Sequence, residues 1–130
     1  MGESDPETFE ELMLVENPGF ADVMRCVFGL RGHETETYLK LLEVPESDAT
    51  TLAGEMSRDR SNVSRSLSAL REKGLVERRR ELLDGGGQVY CYEALPLPDV
   101  KGRMHDELDA WADHVHGRID GFGDPRSDDL

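Results

Sequence analysis

Lysine is nearly absent from this chain of 130 residues: only Lys40, Lys73 and Lys101 are found among its 15 basic residues, against 28 Asp and Glu. Cysteine occurs twice, at Cys26 and Cys91, too rarely for a secreted disulfide framework and too widely spaced for a zinc site. Apolar runs are short, none approaching the ~20 residues that cross a bilayer, and the start MGESDPETFEEL is acidic where a leader would be basic and then apolar. A cytoplasmic protein without a membrane partner is expected, its cysteines held as thiols. Catalytic signatures are missing too. No nucleophile stands in a recognisable motif, DGGG lacks the lysine of a phosphate loop, and the carboxylates are too scattered to single out a pair. His114 and His116 point to different faces of a helix, and His105 with Asp109 offers only two ligands, so neither a metal, a cofactor nor an enzyme is expected.

What is present is a large, unevenly distributed charge. The formal net charge is -13, which alone argues against a polyanionic partner. Yet Arg58, Arg60, Arg65, Arg71, Lys73, Arg78, Arg79 and Arg80 are interrupted only by Asp59, Glu72 and Glu77, a local balance of +5 that leaves -18 on the rest. The acid-rich, lysine-poor remainder resembles proteins of salt-loving archaea, whose carboxylates keep the surface hydrated, and is read as habitat rather than function.

The length fits one domain with an appendage. Residues 1 to 17 form an acidic arm, either loose or a short helix, with Phe9, Leu12 and Met13 as its anchors. Asn17 as cap and Pro18 as first helical residue open a helix whose Phe20, Val23, Met24, Val27 and Phe28 recur at helical spacing up to Gly29. A second helix runs from near Gly32 to Glu43, with Leu30, Tyr38, Leu41 and Leu42 toward the core, and Pro45 stops it. After a break at PESD, Ala49 to Met56 form a short helix with Leu52, Ala53 and Met56 inward, and SRDRS makes a polar turn.

Ser61 to Lys73 reads as a helix with Val63, Leu67 and Leu70 on one face and Asn62, Ser64, Arg65, Ser68 and Arg71 on the other, closed by Gly74. LVERRRELL and QVYCYEAL, separated by DGGG, predict a β-hairpin. The fold class is therefore mostly α with a small β-hairpin: a winged helix-turn-helix over residues 18 to 97, then a long helix over 98 to 122 and a disordered tail over 123 to 130. In the long helix Val100, Met104, Leu108, Trp111, Val115, Ile119 and Phe122 recur at intervals of three and four, a seam suited to dimerisation, although folding back on its own domain would also cover it.

A helix that enters the major groove needs a small polar front with Arg or Asn reaching base edges. Arg65 can pair with guanine and Asn62 with adenine, while Ser61, Ser64, Arg58 and Arg60 suit phosphates and Arg78, Arg79 and Arg80 add the charge of the hairpin. A lone amphipathic helix with this face is usually just solvated. The preceding helix, tight turn and basic hairpin together favour binding to double-stranded DNA over an acidic module that docks on the transcription machinery.

The stretch GLRGHETETYLKLLEVPESDATTLAGEMSRDRSNVSRSLSALREKGLVERRR resembles the archaeal, and most closely the haloarchaeal, TrmB-like winged-helix regulators, with a more distant MarR-like flavour. The resemblance extends over roughly residues 20 to 122 and implies a homodimer reading two halves of a palindromic promoter site. Full-length TrmB-like proteins add a sugar-binding domain for which this chain has no room, so no sugar ligand is expected. Cys26, beside Arg25, is the candidate redox switch for an oxidative-stress response, with a small buried apolar cysteine an equally good reading. Cys91, sharing a strand face with Val89, ranks below it and is expected to be packed.

Overall fold

The computed structural model describes residues 5 to 123. Its elements in order are α1 (Phe9–Met13), α2 (Phe20–Phe28), α3 (Gly32–Glu43), β1 (Ser47–Asp48), α4 (Ala49–Met56), α5 (Arg60–Glu72), β2 (Val76–Leu82), β3 (Gln88–Ala94) and α6 (Leu97–Gly121). This is the mostly helical architecture with a small hairpin that the pattern predicts. The expected tail lies outside the described residues except for Gly123.

Each boundary has a local cause. Helix α2 begins at Phe20 rather than Pro18, because the backbone N–H of Gly19 donates to the Asp22 carboxylate (3.0 Å) and makes Gly19, not Asn17, the cap. It ends at Gly29, whose φ of 72° lets its N–H return to the Arg25 carbonyl (2.9 Å). Gly74 (φ 74°) does the same after α5, and the N–H of Leu75 reaches the Leu70 carbonyl at 2.9 Å. Helix α5 is displaced by one residue from the expected span. The Asp48 side chain caps α4 by accepting from the N–H of Thr51 at 2.6 Å.

Strands β2 and β3 pair antiparallel from Val76↔Ala94 to Leu82↔Gln88, and β1 pairs with the other edge of β3 through Ser47↔Tyr92, giving the order β1-β3-β2. The sequence reading missed β1. Two residues inside PESD carry no alternation, and their strand exists only because β3 lies alongside.

The core joins Met24 and Phe28 of α2, Tyr38 and Leu41 of α3, Leu52 of α4, Val63, Leu67 and Leu70 of α5, and Leu75 and Tyr92 of the hairpin. Leu42 and Met56, expected inside, are half-buried. Val100 is also fully buried here, which corrects its assignment to a dimer seam, and Met104 is half-buried against the same core. The reason is that α6 leaves the hairpin across α2 and must bury its first turns there. Arg103 fixes this root by donating to the carbonyls of Lys73 (2.7 Å) and Gly74 (3.1 Å).

Tyr38 ties α3 to the start of α6: fully buried, it donates its hydroxyl to the Leu95 carbonyl at 2.6 Å. Burial, with the nearby Asp99 carboxylate, pushes its phenol from the usual 10 up to about 12. The unfolded chain then releases this proton at lower pH than the native one. Stability from this group is full below pH 10 and is lost as pH rises toward about 12. Denaturation midpoints followed across that window should fall more steeply for the native chain than for Tyr38→Phe; parallel curves would show that the buried phenol does not contribute.

Candidate nucleic-acid interface

The inner face of α5 is fixed by Val63, Leu67 and Leu70, each at most 1% exposed, and by buried Ser66. That rotation turns Ser61, Asn62, Arg65 and Ser68 to solvent and leaves Ser64 half-buried at the margin. Arg65 donates to the Oδ1 of Asn62 one turn earlier, so the two expected base readers are joined in one outward-facing pair. Helix α4 packs against α5 and is joined to it by the exposed turn over residues 57 to 59, the arrangement of a helix-turn-helix.

The structure divides the basic residues that the sequence grouped. Along β2, Arg78 and Arg80 lie opposite Tyr92 and Tyr90, whereas Arg79 lies opposite Cys91, so the Arg78–Arg80 run alternates between the two faces of the hairpin. The Arg78 guanidinium sits 4.1 Å from the centroid of the Tyr90 ring. Arg80 and Arg60 have no carboxylate partner among the described residues. On the other face Arg79 is ion-paired with Glu46 and, at 3.7 Å, with Glu81, and the bond to Glu46 raises its pKa further. Arg58 is held by Glu36 at 2.7 Å.

Those two glutamates were not singled out in the sequence. Glu36 is an ordinary exposed helical carboxylate, and Glu46 reaches Arg79 only because its backbone has the left-handed φ of 58° just before β1. Period-two alternation, already applied to Cys91, would have separated Arg79 from its neighbours.

Neither cysteine is an activated thiolate. Cys26 is partly buried in α2, and its thiol donates to the Thr8 carbonyl at 3.4 Å. Burial pushes its pKa up against the opposing pull of Arg25, with Asp22, Glu11 and Glu7 adding to the rise. Cys91 is half-open rather than packed, because its face of the hairpin looks away from the core toward Glu46, Glu77 and Glu93. Burial and then Glu81 push its thiol up as well. Among the described residues no group of three or more His, Cys, Asp or Glu could hold a metal, and no helix is long and apolar enough to cross a membrane.

The seam on α6 is split. Beyond Val100 and Met104, Leu108, Ile119 and Phe122 are exposed, while Trp111 and Val115 are half-buried, Trp111 by the ring of Phe9 at 5.0 Å between centroids.

A family model described as "Sugar-specific transcriptional regulator TrmB" matches residues 24–97, from α2 to the start of α6. An uncharacterized protein of Methanocaldococcus jannaschii is 31% identical over 96 residues, which are 74% of this chain and 73% of that one. Among solved structures, a possible transcriptional regulator from Methanosarcina mazei Go1 superposes with a TM-score of 0.69 at 27% identity, covering 78% of this chain and 87% of its own. A MarR-family transcription regulator shares the fold at a TM-score of 0.50 and 22% identity, covering 73% of this chain and 62% of its own. The family is described as one of transcriptional regulators, and the Methanosarcina structure as a possible one.

Proposed function

Because the chain belongs to the TrmB family of winged-helix transcriptional regulators, we propose that it acts in the cytoplasm as a homodimer that binds a palindromic promoter site in double-stranded DNA. The observation that carries this reading is the outward pair Arg65 and Asn62 on a helix whose opposite face is locked into the core. Arg65 reads guanine and Asn62 adenine at the major-groove edge. Ser61, Ser64 and Arg60 hold phosphates beside them, and Arg78 and Arg80 hold the backbone from the wing. Arg58 and Arg79 join only when phosphate displaces Glu36 and Glu46, so their net contribution is smaller. No sugar enters this reading, since the family match spans the winged helix itself.

An acidic shell makes non-specific attraction to phosphate weak, so base contacts carry more of the affinity than in a basic regulator. Genome-wide occupancy of the tagged protein tests the proposal. Discrete promoter peaks that vanish for Arg65→Ala are expected. Absence of peaks for the native chain would favour the docking module instead.

Oxidant control through Cys26 has one favourable observation, the Thr8 contact that ties α2 to the start of α1 and that modification of the sulfur would break. The raised thiol sets its pace. Iodoacetamide should modify Cys26 slowly at neutral pH and faster only as pH climbs past the ordinary thiol range. Rapid labelling at neutral pH would contradict the burial argument and strengthen the case for a sensor.

A further inference from the structure

Beyond Arg80 the wing changes character. The segment ELLDGGG over residues 81 to 87 holds no lysine or arginine, and Leu82 and Leu83 are 83% and 52% exposed. A single exposed leucine is ordinary, but two in succession on a protruding turn make an apolar tip. The main chain closes that turn without their side chains: the N–H of Leu83 donates to the Gly87 carbonyl at 3.0 Å, and that of Gly86 to the Leu83 carbonyl at 3.1 Å. Alternation places Leu82 on the same face of β2 as Arg78 and Arg80, with Tyr92, Tyr90 and Gln88 opposite the three of them on β3. At its root this face is core, where Val76 and Tyr92 are buried. Farther out it carries the two wing arginines assigned to the DNA backbone, and Leu82 is its end. The opposite face ends in Glu81, ion-paired with Arg79 at 3.7 Å. Asp84 in the turn adds a carboxylate that phosphate repels, so the tip is not built to hold the backbone by charge.

We propose that Leu82 and Leu83 form an apolar wedge that opens a base step from the minor groove and kinks the duplex, a proposal that rests on the DNA reading above and adds a determinant of specificity to it. Apolar side chains that enter between bases unstack them and bend DNA toward the major groove. Two residues of strand span about 7 Å, and the minor groove is about 7.5 Å deep, so Arg80 on a phosphate at the rim delivers Leu82 to the base edges. Burial of the two leucines offsets the cost of unstacking. Such a contact displaces no counterions, which suits a chain whose acidic shell weakens attraction to phosphate. Pyrimidine–purine steps unstack most easily, so the wedge selects a TA or CA step that no polar side chain reads. Specificity then extends beyond the bases that face α5.

Energy transfer between dyes at the two ends of a short duplex, carrying an operator recovered from the occupancy peaks, measures the bend. The fluorescence of 2-aminopurine, placed in turn at each flanking pyrimidine–purine step, reports unstacking. The native chain should bring the ends together and brighten one probe position. The double variant Leu82→Ser, Leu83→Ser should leave the duplex straight and every probe dark, and bind roughly tenfold more weakly. Its loss should be the same factor at every salt concentration, unlike that of Arg80→Ala, because no phosphate contact is removed. Its Tm should match that of the native chain, since both side chains are exposed, and Leu82→Met should keep the bend. A native complex on straight DNA with all probes dark would overturn the proposal, as would a double variant that bends and binds like the native chain. If the DNA stays straight while the double variant binds normally but loses control of the promoter, the leucines dock on a protein of the transcription machinery; the wedge is discarded and the DNA reading stands. A native chain that binds no genomic DNA discards the DNA reading itself, and the wedge with it.

Discussion

Leu67→Ala should lower the unfolding free energy by about 3 kcal/mol, within the range for a fully buried leucine whose neighbours relax only partly into the space left behind. Leu67 has no exposed surface and lies on the inner face of α5, where that helix packs on α3 and α4. For a domain of this size the loss corresponds to a fall in Tm on the order of 10 °C. Ser68→Ala, one residue along on the exposed face, should leave Tm nearly unchanged, since alanine is at least as good a helix former and no buried contact is lost. Thermal unfolding of the two variants side by side measures the rotational setting of α5. A small fall for Leu67→Ala together with a large one for Ser68→Ala would mean that the helix is turned the other way, and Arg65 and Asn62 would then not face solvent.

That rotational setting was legible in the sequence because it follows from where apolar side chains recur. Val63, Leu67 and Leu70 at helical spacing leave one orientation in which all three are buried, and the polar front is then determined. The hairpin was equally legible from DGGG between two strand-forming runs, and its turn uses the positive φ of Gly86 (91°) and Gly87 (88°). What could not be read depends on contacts between residues distant in the chain. Strand β1 has no pattern of its own, and Glu46 meets Arg79 only because β1 places the turn before it against the wing. The seam on α6 was legible as a period, but periodicity alone does not say which neighbour covers a given stretch. Val100 continues the same stripe as Leu108, and only the path of α6 across α2 assigns it to the chain's own core.

Alternation accounts for the remaining discrepancy. Three consecutive arginines suggest one concentrated charge, yet on a strand the middle one faces away from the other two. Arg79 is drawn into a carboxylate-lined face with Glu46 and Glu81, and only Arg78 and Arg80 share the face of Tyr90. The wing therefore presents a more limited positive surface than its sequence suggests, and more of the discrimination falls on α5.

Arg65→Ala is accordingly expected to produce the largest change in DNA binding, a loss of roughly 10- to 100-fold in affinity for the preferred site, the worth of about 1 to 3 kcal/mol for a bidentate contact to a base. Affinity for unrelated DNA should change much less, so the ratio between the two collapses. Arg80→Ala should weaken both by similar factors and reduce the slope of log affinity against log salt by about one, as removal of a phosphate contact does. Asn62→Ala should cost part of the Arg65 effect as well as its own, because Asn62 Oδ1 accepts from the Arg65 guanidinium and limits where that long side chain can point. The double variant should then lose less than the two single losses combined, a coupling expected of residues in direct contact. Fluorescence anisotropy on an operator recovered from genomic occupancy, repeated at several salt concentrations, separates these outcomes. Equal losses for Arg65→Ala on every DNA would place Arg65 on the backbone and leave Asn62 as the only base reader on this face.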